Sequence, residues 1–207
     1  MNIILIGIQG SGKGTQAKLL TKKYGWKHIT TGEIFRENIN QKTNLGLQAK
    51  SYIEKGELVP DSIVYEIVSD AIQKANNGFI LDGFPRNLEQ TEFLLENFKI
   101  DKVVLLELSD EKAIERVMAR VNCDSCGKDY NLLFSKPKND GICDNCGGKI
   151  VRRKDDNEIA IKKRIEKFHL ETEKAIDYFT EKKLVVKIDV SKGINEILSE
   201  IIAKIEQ

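Results

Sequence analysis

Apolar residues along this chain fall into short continuous runs, separated by longer stretches of helical period. Asn2-Ile-Ile-Leu-Ile6 runs straight into Gly7. A run that short, closed by glycine, predicts a parallel strand buried on both faces. The same signature recurs at Phe79-Ile-Leu-Asp82, Val103-Val-Leu-Leu-Glu-Leu108 and Leu184-Val-Val-Lys-Ile188, with a weaker instance at Lys27 to Ile29. Between them the pattern predicts helices over 13–24, 61–75, 88–97, 110–120, 157–180 and 194–205. Strands alternating with helices imply βαβ units and an α/β fold, a parallel sheet with helices on both faces.

Two stretches break the alternation. Residues 30–59 are helical without a strong strand, and Thr30-Thr-Gly-Glu33 fits a capping box at their start. Residues 121–156 hold all four cysteines, Pro137 and four of the 15 glycines, the composition of a small stapled module rather than a sheet layer. The organisation that follows is a core of residues 1–29, 60–120 and 157–207, interrupted by subdomains at 30–59 and 121–156.

Composition narrows the class of function. A chain of 207 residues suits one domain with a sizeable insertion, and it is long enough to fold without disulfides. Thirty-three Lys and Arg oppose 32 Asp and Glu, a net charge of +1. That balance argues against a nucleic-acid coat, a membrane-surface binder or an acidic tail, while allowing a local basic pocket. The first apolar run is too short for a signal peptide and lacks a basic leader, and no stretch approaches the ~20 apolar residues that span a bilayer. The expectation is a cytoplasmic protein without membrane or nucleic-acid partners, its thiols reduced.

Gly7-Ile-Gln-Gly-Ser-Gly-Lys-Gly-Thr15 lies between the first strand and the first helix. Glycines at 7, 10, 12 and 14 let the backbone curl so that several N–H groups point inward, a nest for phosphate oxygens. The helix that follows adds its positive end, and Lys13 supplies a mobile ammonium. Such loops place Ser or Thr directly after the lysine to hold Mg²⁺. Here Gly14 takes that place and Thr15 comes one residue later, so a metal partner is sought elsewhere. Asp82 closes a buried strand and points into the crevice where open α/β sheets bind ligands, the position for holding Mg²⁺, directly or through water.

Cys123-x₂-Cys126 and Cys143-x₂-Cys146 are two tight pairs 16 residues apart, a zinc-ribbon spacing. Four thiolates saturate a tetrahedral ion, so the expected site is structural Zn²⁺; iron takes the same ligand set, and the ligands alone do not choose between them. Gly127 and Gly147 follow the second cysteine of each pair, where a tight knuckle favours positive φ. Arg116 and Arg120 stand four apart on the predicted helix, like charges that need an anion nearby. Arg164 flanks the buried row of Ile161, Ile165 and Phe168, a costly place for an unpaired guanidinium. Basic residues converging from separate segments beside a phosphate loop point to anion binding. The two histidines, His28 and His169, read as structural or exposed.

Gly7 to Thr15, Thr31-Gly-Glu-Ile-Phe-Arg36, Asp82-Gly-Phe-Pro-Arg86 with Gln90, and Arg153-Lys-Asp-Asp156 followed by Arg164 resemble adenylate kinase, in the long form with a metal-binding lid. The match runs nearly the whole chain in order. It implies a five-stranded P-loop core, an AMP-binding subdomain at 30–59 and a zinc-binding lid at 121–156. It also implies a monomer that moves the terminal phosphoryl group reversibly from Mg-ATP to AMP, giving two ADP and keeping the adenine nucleotides in balance. Carried over by position, Thr31, Arg36, Glu57, Leu58, Val59, Gly83, Phe84, Pro85, Arg86 and Gln90 bind AMP. Gly10, Ser11, Gly12, Lys13, Gly14, Thr15, Arg120, Arg153 and Lys192 contact ATP, and Arg164 lies between the nucleotides. Lys13, Arg86, Arg120, Arg153 and Arg164 form the catalytic set. Two positions depart from the family pattern: Gln9 replaces a common proline, and Val121 a common arginine. Two other readings are another nucleoside monophosphate kinase and, in a different class, a nucleotide-switched zinc-ribbon module for nucleic acid. Thr31 and Gln90 match the adenine-selective pattern, and the near-zero net charge opposes nucleic-acid binding.

Overall fold

The computed structural model describes residues 1–54, 59–153 and 156–207. Its core is one parallel sheet of five strands in the order β2-β3-β1-β4-β8. The strands are β1 (Asn2–Ile6), β2 (Lys27–Thr30), β3 (Phe79–Asp82), β4 (Lys102–Glu107) and β8 (Val185–Asp189). Central β1 pairs with β3 and β4, setting Leu5 opposite Asp82 and Val104.

The unbroken apolar runs follow from burial on both sheet faces. Ile4, Ile6, Leu81, Val103 and Leu105 point one way, into a cluster closed by α4 (Asp61–Gln73), α5 (Leu88–Asn97) and α8 (Glu173–Glu181). Ile3, Leu5, Ile80, Val104, Leu106 and Ile188 point the other way, onto α1 (Lys13–Tyr24) and α9 (Ile194–Ile205). Successive residues alternate sides, so a doubly covered strand has no polar face. Ile3 and Ile4 are fully buried, and each such side chain contributes about 1.5–3 kcal/mol.

Residues 31–54 form α2 (Thr31–Asn40) and α3 (Asn44–Glu54). The expected capping box is not made. Thr30 precedes α2, but its side chain caps nothing; its Oγ1 lies 2.8 Å from His28 Nε2 instead. The helix expected over 110–120 ends earlier, as α6 (Asp110–Met118), and Arg120 opens a strand. That strand, β5 (Arg120–Cys123), pairs antiparallel with β6 (Asp129–Asn131) and with β7 (Ile150–Val151). Pairing with β6 sets Arg120 opposite Asn131, and Leu132 N donates to Ala119 O at 2.9 Å, which pulls the chain out of the helix. The stapled module therefore contains a small sheet of its own. Arg116 and Arg120 do not share a helix face.

The stretch 157–180 is also not one helix. A π turn at Phe168–Thr172 separates α7 (Glu158–Lys167) from α8. α6 rests on the phosphate loop: a Cβ at Gly10 would lie 3.0 Å from Ala113 O and 3.2 Å from Val117 Cγ2, and its φ is +85°. No helix among the described residues is long and apolar enough to cross a membrane.

Candidate active site

A cleft of about 1200 Å³ opens over the carboxyl ends of β1 and β3. The phosphate loop forms its floor, α2 and the 82–90 turn one wall, and the small sheet the other. Ile3, Leu5 and Ile80 lock the strand ends, so the loops leaving them are fixed from below.

Gly12 at φ +92° precedes α1, which begins at Lys13. Lys13 Nζ donates to Gly7 O at 2.7 Å and to Ile8 O at 3.2 Å. Burial pushes its pKa down to about 8, against the attraction of Asp82 and with help from Arg86 and Arg120. Asp82 is buried, and a Cβ on Gly14 would lie 3.7 Å from its Oδ2, so the carboxylate faces the loop. His28 Nε2 stands 3.4 Å from the same oxygen. Burial pushes the Asp82 carboxyl up, but the His28 contact and the Lys13 charge outweigh it and hold it below the usual carboxylate range. In the loop itself Ser11 Oγ and Gln9 Oε1 are buried with no hydrogen-bond partner among the described residues. Buried polar atoms without partners are uncommon and fit a ligand-binding loop.

On the α2 wall, Thr31 Oγ1 and Arg86 Nε both donate to Gly83 O, at 3.0 and 2.8 Å. Gly83 has φ +88°, and a Cβ there would crowd Thr31 Oγ1 at 3.0 Å. Arg86 faces the solvent of the cleft yet is walled in by it. That enclosure and the charge of Arg164 draw its guanidinium pKa down. Gln90 is fully engaged in holding this turn: Oε1 accepts from Arg86 N at 2.7 Å, and Nε2 donates to Asp61 Oδ1 at 2.6 Å. Thr172 Oγ1, in the π turn, donates to Arg86 O at 2.9 Å. Phe84 and Pro85 do not line the cleft; Phe84 lies in the core with its ring edge against Tyr65. Val59 and Arg36 do line it, whereas Glu57 and Leu58 lie outside the described residues.

On the opposite wall, Arg120 forks onto Asp156 with Nε–Oδ2 2.8 Å and Nη2–Oδ1 2.6 Å. Arg164 Nη1 lies 4.0 Å from the same Oδ1, so one buried carboxylate gathers two guanidinium groups from separate elements. Arg153 bonds Asp129, and Lys192 turns its Nζ to Glu200 at 2.8 Å while its residue still borders the cleft. Gly10, Ser11, Gly12, Gly14 and Thr15 border it as well. The structure adds Phe134, which sequence reasoning missed, and gives Arg116, expected only to need an anion nearby, an aromatic partner. Arg116 donates to Val190 O at 2.8 Å and stacks over Phe134, 5.5 Å from the ring centroid, presenting a flat cation–aromatic surface to the cleft. An aromatic within a polar, cysteine-rich segment was the available signal.

The four cysteine sulfurs lie within 4.8 Å of one another, with Cys123–Cys146 at 3.5 Å and Cys126–Cys143 at 3.6 Å. A regular tetrahedron with ~2.3 Å metal–sulfur bonds has edges of ~3.8 Å, so these thiols fit one ion. Gly127 and Gly147 take φ of +69° and +74°, as their knuckle positions predict. Tyr130 Oη accepts from Asp144 N at 2.8 Å and lies 3.4 Å from Cys143 Sγ.

A family model described as adenylate kinase matches residues 5–184. The chain is 45% identical to a protein named adenylate kinase from Clostridium tetani, over 97% of this chain and 96% of that one. It is 47% identical to an adenylate kinase of Caldicellulosiruptor bescii, covering 95% and 94%. To one from Methanosarcina barkeri it is 45% identical, covering 100% and 99%.

Proposed function

The chain belongs to the adenylate kinase family and catalyses ATP plus AMP giving two ADP, using Mg²⁺ with ATP, and on that premise we propose how its residues divide the work. The observation that carries the division is a single cleft with Lys13 and Asp82 at its floor, Arg36 and Arg86 on one wall, and Arg120 and Arg153 on the other.

The phosphate loop from Gly10 to Thr15 and the cations Arg120 and Arg153 take the donor triphosphate, with the base against the Arg116–Phe134 surface and the backbone around Lys192. Thr31, Arg36, Val59, Gly83 and Arg86 take AMP. Gln90, Phe84 and Pro85 serve that side by shaping the turn. Glu57 and Leu58 are proposed for the same side on sequence alone. Arg164, joined to Arg120 through Asp156, stands between the two phosphates. The acceptor phosphate needs no general base, since its second pKa is ~6 and an oxygen is already ionised at neutral pH. It attacks the terminal phosphorus in line while the bridging oxygen leaves with ADP, and the protein contributes position and charge. Lys13 follows the transferring group.

Asp82, buried and facing the loop, would hold Mg²⁺ directly or through water, and the ion would supply positive charge to the phosphates. The four cysteines hold Zn²⁺ in a saturated site with no chemical step of its own. The 30–59 segment works as the AMP-binding part and 121–156 as a lid, on the 1–29, 60–120 and 157–207 core. Family membership supports the reading of a cytoplasmic monomer, and the net charge of +1 weighs against nucleic-acid or membrane-surface partners.

The test is a pair of substitutions. Arg86→Ala raises KM for AMP much more than KM for ATP, and Arg120→Ala does the reverse. Equal effects on both substrates from either change would overturn the two-sided assignment.

A further inference from the structure

The outward residues of β6 both reach back to the core. Asn131 Nδ2 donates to Arg116 O at 2.9 Å, and Asp129 Oδ2 lies 3.3 Å from Lys18 Nζ on α1. Between them Tyr130 turns inward to Cys143, as strand alternation requires. The other oxygen of Asp129, Oδ1, accepts from Arg153 Nη2. Lys18, Asp129 and Arg153 all border the cleft.

An acid in the wall of a site for polyphosphate repels its substrate unless its charge is used by the protein. Here it is used twice. Burial pushes the Asp129 carboxyl up, but Arg153 and Lys18 outweigh it and hold it below the usual range. Arg153 is the less exposed of its two partners, 18% against 54% for Lys18. A long guanidinium tied at one corner keeps fewer rotamers and so costs less to order on a phosphate. The Lys18 contact joins α1 of the core to the metal-bearing segment. A pair so exposed adds little to folding, but it acts directly on the balance between apposed and separated walls.

We propose that Asp129 is a positioning residue that aims Arg153 at the donor phosphates and latches the lid to α1 through Lys18. The first half rests on the reading of Arg153 as a donor-side contact. The second stands without it.

The experiment uses the metal-loaded full chain with dyes attached through noncanonical amino acids at positions 22 and 138, on α1 and in the lid. Distances are read by single-molecule energy transfer, and KM for each substrate is measured in parallel. Lys18→Gln enlarges the population with a long α1–lid distance by roughly 2- to 5-fold, in the range of a single exposed ion pair. It raises KM for ATP by a similar factor, leaves KM for AMP within about 2-fold, and loses its effect at high salt. Lys18→Arg restores wild-type values. Asp129→Asn shifts the distances equally and raises KM for ATP further, about 5- to 20-fold, because Arg153 is released as well. Unchanged distances in both variants overturn the latch. A fall in KM for ATP in Asp129→Asn shows an acid that merely repels substrate and overturns the positioning role. If Arg153→Gln leaves KM for ATP unchanged, the donor-side reading of Arg153 fails, while the distance measurement still decides the latch.

Discussion

The five-stranded sheet and the three-stranded sheet both present cations to the same cleft, but they are held in shape by different means. In the larger one, Ile3, Ile4, Leu81 and Val104 are fully buried, and whole helices cover both faces. In the smaller one the buried cluster is Val121, Cys123, Tyr130 and Cys143, with Ile150 against it, and two of those four are thiols of the metal group. A sheet that poor in apolar contacts has little burial to fold by itself, and an ion held by the four thiols would supply what its core lacks. The larger sheet carries Asp82 at the end of β3, and the loop leaving β1 sets Lys13 at the start of α1. The smaller one carries Arg120 and Arg153 on a body attached by ion pairs and a few hydrogen bonds. On the proposed assignment, chemistry that needs fixed charge would sit on the first, and charge that arrives with closure on the second.

The largest effect expected from this contrast is on the fixed side. Lys13→Met lowers kcat by about 10²–10³-fold, the loss that follows removal of one preorganised charge from the transferring group. Steady-state rates on a variant of unchanged melting temperature check it, and an unchanged kcat would remove Lys13 from that role.

Leu81→Ala tests the apolar sheet. A cavity among fully buried neighbours costs about 2–5 kcal/mol, and the whole chain unfolds earlier in one transition. Cys146→Ser, or gentle metal removal with the bound metal quantified, gives the contrasting result. Calorimetry shows a separate, broadened low-temperature transition for the lid, several degrees below the core. At low temperature, where the lid is folded, turnover stays substantial. Loss of activity with the lid folded and Mg²⁺ saturating would make the metal a participant in the chemistry.

Proton linkage sharpens the contrast further. The folded Lys13 titrates near 8, below its ordinary 10.5, so between those values the folded chain binds fewer protons than the unfolded one. The group's unfavourable contribution, fully present below pH 8, is relieved as pH rises through that window. A bound triphosphate draws the proton back. ATP binding therefore takes up a proton above pH 8, and affinity falls by up to about tenfold per pH unit. Calorimetric titration in buffers of different ionisation heat reads the uptake, and Lys13→Arg abolishes it.

The smallest effect is on a pair within the core. Exposed His169 lies 2.6 Å from Glu173 Oε1 and 3.0 Å from Asp110 Oδ1, and its pKa is raised, first by Glu173 and then by Asp110. Its stabilising contribution is complete below the unfolded value of ~6.5 and is lost as pH rises through the folded one. His169→Gln costs well under ~1 kcal/mol at pH 5.5 and nothing measurable at pH 9, since both partners face solvent. Melting curves at the two pH values check it.

The two regions also differed in how well the chain announced them. The strands of the large sheet are legible because double-sided burial leaves no polar alternation, as in Ile3 to Ile6. The metal group is legible because its spacing is fixed by knuckle geometry. What the pattern does not carry is competition between local and distant partners. The Thr30 hydroxyl is a good cap in sequence, but His28 is nearer in the fold. Arg120 fits a helix by period, yet β6 claims its backbone for a strand. Asp129 carries no signal in the sequence and Asp156 enters only through the Arg153-Lys-Asp-Asp156 motif; the fold sets guanidinium groups beside both. Arg116 and Phe134 are separated by 17 intervening residues and meet only across the cleft wall.

Gly10 has a consequence that reaches past its place in the phosphate loop. Gly12 needs glycine for its left-handed backbone alone, since a Cβ there would meet nothing within 4 Å. Gly10 needs it a second time, because α6 rests on the bare backbone. The carboxyl-terminal end of α6 carries the carbonyls of Arg116 and Ala119 that receive Asn131 and Leu132. The loop and the root of the 121–156 segment thus bear on the same carboxyl-terminal half of one short helix, Gly10 against Ala113, Arg116 and Val117 and the segment on the carbonyls of Arg116 and Ala119. A side chain at position 10 would press on α6 right beside those carbonyls, so a change in the glycine-rich loop would reach the root of the small sheet through a single helical turn.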